Sequence, residues 1–438
     1  MAAAIASRGI SVVGVDVNQR AVDVLNAGRA PVRETGLDDL IASNREHLRA
    51  TTRFSEAVHD SAITFVVVPT PSDDDGGFSL EYAAAAFVEI GRALKSKSAY
   101  HLVVLTSTVL PGATRYGLLP ILEAESGKHC GEAFGLCYSP EFIALGSVIR
   151  DFLNPDLVLI GESDMRAGDR LEACYRAVLT KPAPAARMSL ENAELTKIAL
   201  NTYVTTKISF ANTLAALCER VPGGNVDVVT RALGLDTRIG PRFLTGATGY
   251  GGPCFPRDNR ALIHFAESVG VRADLAEATD AINERVHRRV VDRVLSVASP
   301  EARVAVLGIA YKPASHITEE SQGLAVATAL HAAGFDVRTF DPLAGDLAWA
   351  APLEECLRDA DVIVVATPEP AFRALGVTDF ANAARGALVL DCWRVLNASA
   401  VREAGLRYSA IGVSVDDERN AARLSERWRR SPRAATRI

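Results

Sequence analysis

Cys254 is the side chain in this sequence best placed for covalent chemistry. It stands in "GYGGPCFPRDN", between a glycine pair and a Phe-Pro step, whereas cysteines used for packing usually sit in apolar runs. A thiolate presented in this way can add to an aldehyde carbon to form a thiohemiacetal. Loss of hydride then gives a thioester, and water cleaves that to a carboxylate and the free thiol. Asp258, four residues on, can orient the water or take the thiol proton. The plain alternative is a cysteine merely tolerated in a glycine turn, so other residues must decide.

Four further segments bear on the choice. "ELTKIALN" puts Lys197 and Asn201 at i and i+4, on one helical face. Among apolar neighbours such a pair is costly unless it serves a site; otherwise it belongs to a solvated stripe. "YSPEFIALGS" sets Glu141 after a strand and a proline, where the carboxyl ends of parallel strands form a crevice. A helix N-terminal acid is the competing reading. "LTSTVLPG" offers Thr108 at another strand end, and Asp16 stands at the tip of "VVGVDV", where a dinucleotide-binding half keeps its ribose-binding acid. A lone acid there is also an ordinary turn residue.

The elements that must carry these side chains follow from length and pattern. The 438 residues exceed one ordinary core, which implies two or three domains. A net charge of −6 gives no general attraction to nucleic acid or to anionic membranes, and no apolar run would span a bilayer. The start, "MAAAIASRGISVVG", lacks a secretory pattern. Seven cysteines without a CxxC fit a reducing cytoplasm, and eight histidines without an HxxxH suggest no structural zinc; no metal is expected.

From residue 9 to about 165, the runs "ISVVGVDV", "AITFVVVPTP", "LVVLTSTV", "FGLCYSP" and "DLVLIGES" alternate with Ala/Leu-rich helical stretches. That alternation predicts a parallel sheet covered on both faces. Residues 189–290 read as helix, beginning with one long pattern through "LENAELTKIALNTYVTTKISFANTLAALCERV"; strands return with "RVAVLGIAY", "FDVRTFDP", "DVIVVATP" and "GALVLDCW". The fold class is therefore α/β, two Rossmann-like parallel-sheet domains joined by a central helical region. The boundaries are 1–185, 186–295 and 296–420, with a basic, frayed tail over 421–438. The outer segments repeat one another: "ASRGISVVGVDVN" parallels "HAAGFDVRTFDPL", and "ITFVVVPTP" parallels "VIVVATPEP". The second half opens on a strand before its first helix, while the first half opens directly on a helix. A dinucleotide-binding half needs a strand and a GxGxxG loop ahead of that helix. The expectation is thus that the first strand and glycine loop of the N-terminal domain are missing, by roughly fifteen residues, and that the chain as written binds NAD poorly.

"GYGGPCFPRD" resembles the cysteine motif of the UDP-glucose/GDP-mannose dehydrogenase family, and within it the UDP-glucose branch. The resemblance runs through "VVPTPSDDDGGFSL", "STVLPG", "YSPEFIALGSVIRDFLNPD", "ELTKIALNTYVTTKISFANTLA", "LDTRIGPRFL" and "VLGIAYKP", across almost the whole chain. It implies oxidation of a nucleotide sugar at C6 to the carboxylate, UDP-glucose to UDP-glucuronate, with two NAD. It also implies Cys254 as nucleophile, Lys197 and Asn201 at the oxyanion and sugar, Asp258 and Thr108 around the proton-transfer water, and Glu141 activating water. Asp16, Pro69, Thr70, Thr108 and Arg257 would face the cofactor. Glu141, Lys197, Asn201, Phe243, Tyr250, Gly251, Lys312 and Arg394 would hold the substrate, and Arg238 would reach a neighbouring subunit's substrate in a homodimer or larger homo-oligomer. Three residues depart from the family pattern: Arg257 replaces a lysine, Leu145 a glutamate, and Glu319 an arginine near the expected nucleotide. GDP-mannose and UDP-N-acetylhexosamine remain alternative substrates. A sugar-binding relative without dehydrogenase activity is also open, as is a cofactor-free thiol transferase, though that last reading finds no histidine near the matched segments.

Overall fold

The computed structural model describes residues 1–430 apart from 346 and 348. Residues 1–200 with 264–271 form one compact unit; residues 201–263 with the described residues from 272 onward form the other.

In the first unit, helix α1 (Ala2–Ala6) passes through Gly9, at φ 75, into β1 (Val12–Val15). β1 pairs in parallel with β2 (Leu48–Thr51) alone, as a two-stranded sheet. A second sheet has the order β3 (Ile63–Val66), β4 (His101–Leu105), β5 (Phe134–Tyr138), β6 (Val158–Glu162), β7 (Ala185–Ser189). β4 and β5 are buried throughout, because side chains alternate between two covered faces. Val103 and Leu105 pack with Phe87, Ile90 and Leu94 of helix α2 (Glu81–Ser96), while Leu102 and Val104 pack with Ile5, Ile160 and Leu171.

Two features of these sheets were not legible in the pattern. β6 runs antiparallel to β5, through Cys137↔Glu162 and Tyr138↔Gly161, so the sheet is mixed. The connection between them holds only a six-residue helix, Val148–Leu153, not the full crossover helix that usually makes a parallel pair. β2 (LRAT) and β7 (AARMS) lack the β-branched apolar character that marks strands, and sheet pairing alone makes them extended.

The expected long helix is α3 (Leu190–Cys218), 29 residues. α4 (Val226–Gly234), α5 (Phe255–Ser268) and α6 (Asp274–Leu295) follow. The second unit then builds β8 (Arg303–Leu307), α7 (Gln322–Ala332), β9 (Asp336–Phe340), β10 (Val362–Val365), β11 (Leu388–Asp391) and β12 (Arg407–Ala410). Its sheet is wholly parallel, in the order β12-β11-β10-β8-β9. The internal repeat is visible in the backbone, since α7 passes through Gly334, at φ 96, into β9 just as α1 passes through Gly9 into β1. β8 lies between β9 and β10. Among the described residues no strand pairs with the second edge of β1 or of β3.

The basic end is more ordered than its composition suggests. Helix α8 (Asp417–Arg430) occupies most of the segment read as frayed, and the rest, 431–438, lies outside the described residues. Asp417 accepts hydrogen bonds from Gly223 N and Ser414 Oγ, and Asn420 Nδ2 donates to Glu219 O, which fastens the first turn of α8. Among the described residues no helix is long and apolar enough to cross a membrane, and no group of three or more His, Cys, Asp or Glu is placed to hold a metal ion.

Candidate active site

In the first unit, the site residues gather at strand ends and on the first turns of α3. Lys197 is buried; its Nζ donates to Glu141 O at 2.7 Å and stands 4.6 Å from the Phe142 ring centroid. Burial pushes the Glu141 carboxyl above its ordinary range, with Lys197 pulling the other way, and Glu141 Oε1 is buried with no hydrogen-bond partner. One turn before Lys197, Glu194 is fully buried and accepts from Gly112 N at 2.5 Å and Thr114 N at 2.8 Å. These bonds fix the loop that leaves β4 and carries Thr108. The same loop is tied to the end of β3. Ser107 Oγ accepts from Val68 N and donates to Val68 O, and Thr70 Oγ1 donates to Thr108 O at 2.8 Å. Pro69 is exposed and Thr70 buried. Asp16 stands exposed at the end of β1, with Oδ1 accepting from Asn18 N at 2.8 Å.

In the second unit, Cys254 is exposed immediately before α5, and its carbonyl accepts the Asp258 N–H at 2.8 Å. It is therefore the cap residue of that helix, where the unpaired N–H groups of the first turn favour negative charge. Pro256, second in α5, suits a helix start because its missing N–H would have had no partner there. Asp258 is 1 % exposed, and its Oδ2 accepts from Asn201 Nδ2 at 2.6 Å; Arg257 Nη2 lies 3.4 Å from its Oδ1.

The glycines ahead of Cys254 have no space for side chains. A β-carbon on Gly249 would lie 2.2 Å from Asn283 Oδ1, one on Gly251 2.2 Å from Glu320 O, and one on Gly252 2.4 Å from the Tyr311 ring. Gly252 also has φ +82, a region that glycine enters without strain. Gly252 N donates to Glu319 O, and Tyr250, buried, donates its hydroxyl to Asp280 at 2.5 Å.

The other expected substrate residues are dispersed. Phe243 is half exposed, at φ 64, and Lys312 Nζ lies 5.7 Å from the Tyr311 ring centroid. Arg238 is at the surface, paired with Asp236. Arg394 is buried in a fork to Asp227, at 2.7 and 2.9 Å, and donates to Ile411 O. Its neighbour Trp393, not singled out in the sequence, is the one that meets the glycine loop, through Nε1 to Thr248 Oγ1 at 3.0 Å. Also missed were Asn212, Asn283, Tyr311 and Glu194. The one available signal was a polar residue inside an apolar helical stripe, as for Asn212 in "ISFANTL".

Three family models match in order: the NAD binding domain of the UDP-glucose/GDP-mannose dehydrogenase family over residues 1–179, its central domain over 191–285, and its UDP binding domain over 305–398. The chain belongs to the UDP-glucose/GDP-mannose dehydrogenase family. It is 35% identical over 423 residues to UDP-glucose 6-dehydrogenase AglM of Haloferax volcanii, covering 94% of this chain and 96% of that one. It is 33% identical to GDP-mannose 6-dehydrogenase of Pseudomonas putida, covering 90% and 93%. The structure of a UDP-glucose dehydrogenase from Pyrobaculum islandicum superposes with a TM-score of 0.83 at 34% identity, covering 94% of each chain.

Family membership makes this an NAD-dependent nucleotide-sugar dehydrogenase. The residues present fit one end of that cofactor. The exposed Asp16 carboxylate, with Oδ1 steadied by the Asn18 N–H, suits a ribose diol, and the hydrogen-bonded loops carrying Pro69, Thr70 and Thr108 offer a second edge.

Because folding raises the proton affinity of Glu141, stability is lost as pH rises from the unfolded carboxyl's range through the folded one. Glu141→Gln should therefore unfold at a higher urea concentration than the wild type at pH 7, and the two midpoints should converge as the pH is lowered toward 4. A constant difference across that window would show that Glu141 is not held as an uncompensated buried acid.

Proposed function

We propose that this chain oxidises UDP-glucose at C6 to UDP-glucuronate in two hydride transfers, with Cys254 carrying the sugar between them. The observation that supports this most is the exposed Cys254 at the N-terminus of α5, one helical turn from the buried Asn201–Asp258 pair. A helix N-terminus favours the thiolate, the nucleophilic form. NAD, when bound, accepts the hydride at each oxidation. The C6 alcohol loses a proton and a hydride to become the aldehyde, and the Cys254 sulfur adds to its carbon. Lys197 stabilises the oxyanion of that adduct, with Asn201 one turn further along the same helix. Departure of a second hydride from the same carbon leaves a thioester. Water, oriented by Asp258 and Thr108 and deprotonated with the help of Glu141, then releases the carboxylate and restores the thiol. Asp16, Pro69, Thr70, Thr108 and Arg257 hold the cofactor. Phe243, Tyr250, Gly251 and Lys312 hold the substrate, with Arg394 bracing the second sheet beside it.

Similarity to relatives named as UDP-glucose 6-dehydrogenases, at 35% and 34% identity, supports that sugar nucleotide. GDP-mannose is the second reading, because a relative named for it stands at 33%. A homodimer through α3 is supported by Tyr203, Phe210 and Leu217, spaced seven apart on one face and 64%, 52% and 57% exposed. An apolar stripe of that kind seeks a partner surface, and the exposed Arg238 of the same unit then serves the neighbouring subunit. Seven cysteines with no disulfide among them fit a reducing cytoplasm.

Three measurements test this reading. Cys254→Ser should stop acid formation, with product held at or before the aldehyde, since a hydroxyl is a far weaker nucleophile than a thiolate; undiminished carboxylate would remove Cys254 from the mechanism. In a panel of UDP-glucose, GDP-mannose and UDP-N-acetylmannosamine, kcat/KM should be at least tenfold higher for UDP-glucose, about 1.4 kcal/mol of transition-state discrimination. Faster turnover of GDP-mannose would overturn the assignment. Sedimentation equilibrium should show a dimer that Phe210→Asp weakens at least a hundredfold, whereas a monomeric wild type would refute the interface.

A further inference from the structure

Two buried asparagines on different helices hold the glycine loop by the same device. Asn212 of α3, 2 % exposed, accepts from Ala247 N at 2.7 Å and donates to Thr248 O at 3.3 Å. Asn283 of α6, 8 % exposed, accepts from Tyr250 N at 2.9 Å and donates to Tyr250 O at 3.0 Å. Each side-chain amide thus pairs with one peptide donor and one peptide acceptor, as a neighbouring strand would, in a stretch that belongs to no sheet. The glycines cannot fasten this loop themselves, since they have no side chains and a β-carbon at each would run into Asn283, Glu320 or Tyr311.

The two clamps grip different parts of the loop. Asn283 holds Tyr250, directly ahead of the Gly251–Gly252 pair that delivers Cys254 to the start of α5. Asn212 holds residues 247–248, further from the thiol, where Thr248 is also bonded to Trp393 Nε1. We propose that Asn283 is a positioning residue that sets the Cys254 thiol at the N-terminus of α5, whereas Asn212, which holds the loop further from the thiol, does not. This rests on the function proposed above for its kinetic consequences, but not for its effect on the thiol.

Variants of the full chain separate the two residues. Asn283→Asp keeps the shape and the acceptor but removes the donor, and Asn283→Ala removes both without adding charge. In resting protein at pH 7, without substrate or NAD, the rate of Cys254 alkylation by iodoacetamide, followed by peptide mass mapping, should fall at least threefold in both variants. Its pH midpoint should rise in both, because the thiol has moved off the helix N-terminus. Slowing in the Asp variant alone would be an effect of added charge and would overturn the proposal. With UDP-glucose and NAD, Asn283→Ala should lower kcat at least tenfold. Asn212→Ala should leave Cys254 alkylation within twofold of wild type. Alkylation slowed as much by Asn212→Ala as by Asn283→Ala would refute the assignment of the thiol to Asn283. A wild-type chain that oxidises no nucleotide sugar would overturn the proposed function instead, and the alkylation rates would still decide the role of Asn283.

Discussion

The close approach of neighbouring atoms to the backbone at Gly249, Gly251 and Gly252 is the constraint on which the turn ahead of Cys254 depends. At each position a β-carbon would come within 2.4 Å of a neighbouring atom, a distance no side chain tolerates without displacing its surroundings. The consequence is that these glycines pass between α6, residues 319–321 and the Tyr311 ring with no side chains of their own to anchor them. Anchoring comes from the Tyr250 hydroxyl on Asp280 and from Asn212 and Asn283, buried side chains whose hydrogen bonds go to main chain. Each such bond contributes only about 1 kcal/mol net, but an amide left buried without its partners costs more than that. The loop is thus confined to one path from two sides: no room off it, and unpaired polar groups if it leaves.

Helix α3 meets a related problem along its length. It carries Glu194, Lys197, Asn201 and Asn212, all buried, in a 29-residue helix. Each would be a liability in an apolar setting, and each is matched. Glu194 receives the Gly112 and Thr114 N–H groups, Lys197 meets the Glu141 carbonyl, Asn201 meets Asp258, and Asn212 holds the glycine loop. A rigid helix suits this task because it fixes the rise and rotation between successive polar groups, so that Lys197 and Asn201 stay one turn apart whatever the loops around them do. Glu141 is the exception to the rule of matched groups. Its buried oxygen without a hydrogen-bond partner is a cost in stability, and burial raises the proton affinity of its carboxyl.

Much of this protein was determined by the sequence alone. Continuous β-branched runs marked the main strands because a strand covered on both faces has no reason to alternate. The uninterrupted apolar period of 190–218 marked α3, and 3.6-residue geometry alone put Lys197 and Asn201 on one face. A cysteine enclosed by glycines already pointed to a presented thiol, and the repeated helix-glycine-strand unit foretold the matching turns at Gly9 and Gly334. Tertiary structure decided the rest. β2, β7 and β12 have little intrinsic preference for strand and are extended because a neighbour pairs with them. The direction of β6 depends on where its connection returns. Arg394 is committed to Asp227, 167 residues away, and Asn283 reaches Tyr250 across 33. Local pattern carries no information about such partners, because a hydrogen bond between distant segments exists only once packing has brought them within about 3 Å.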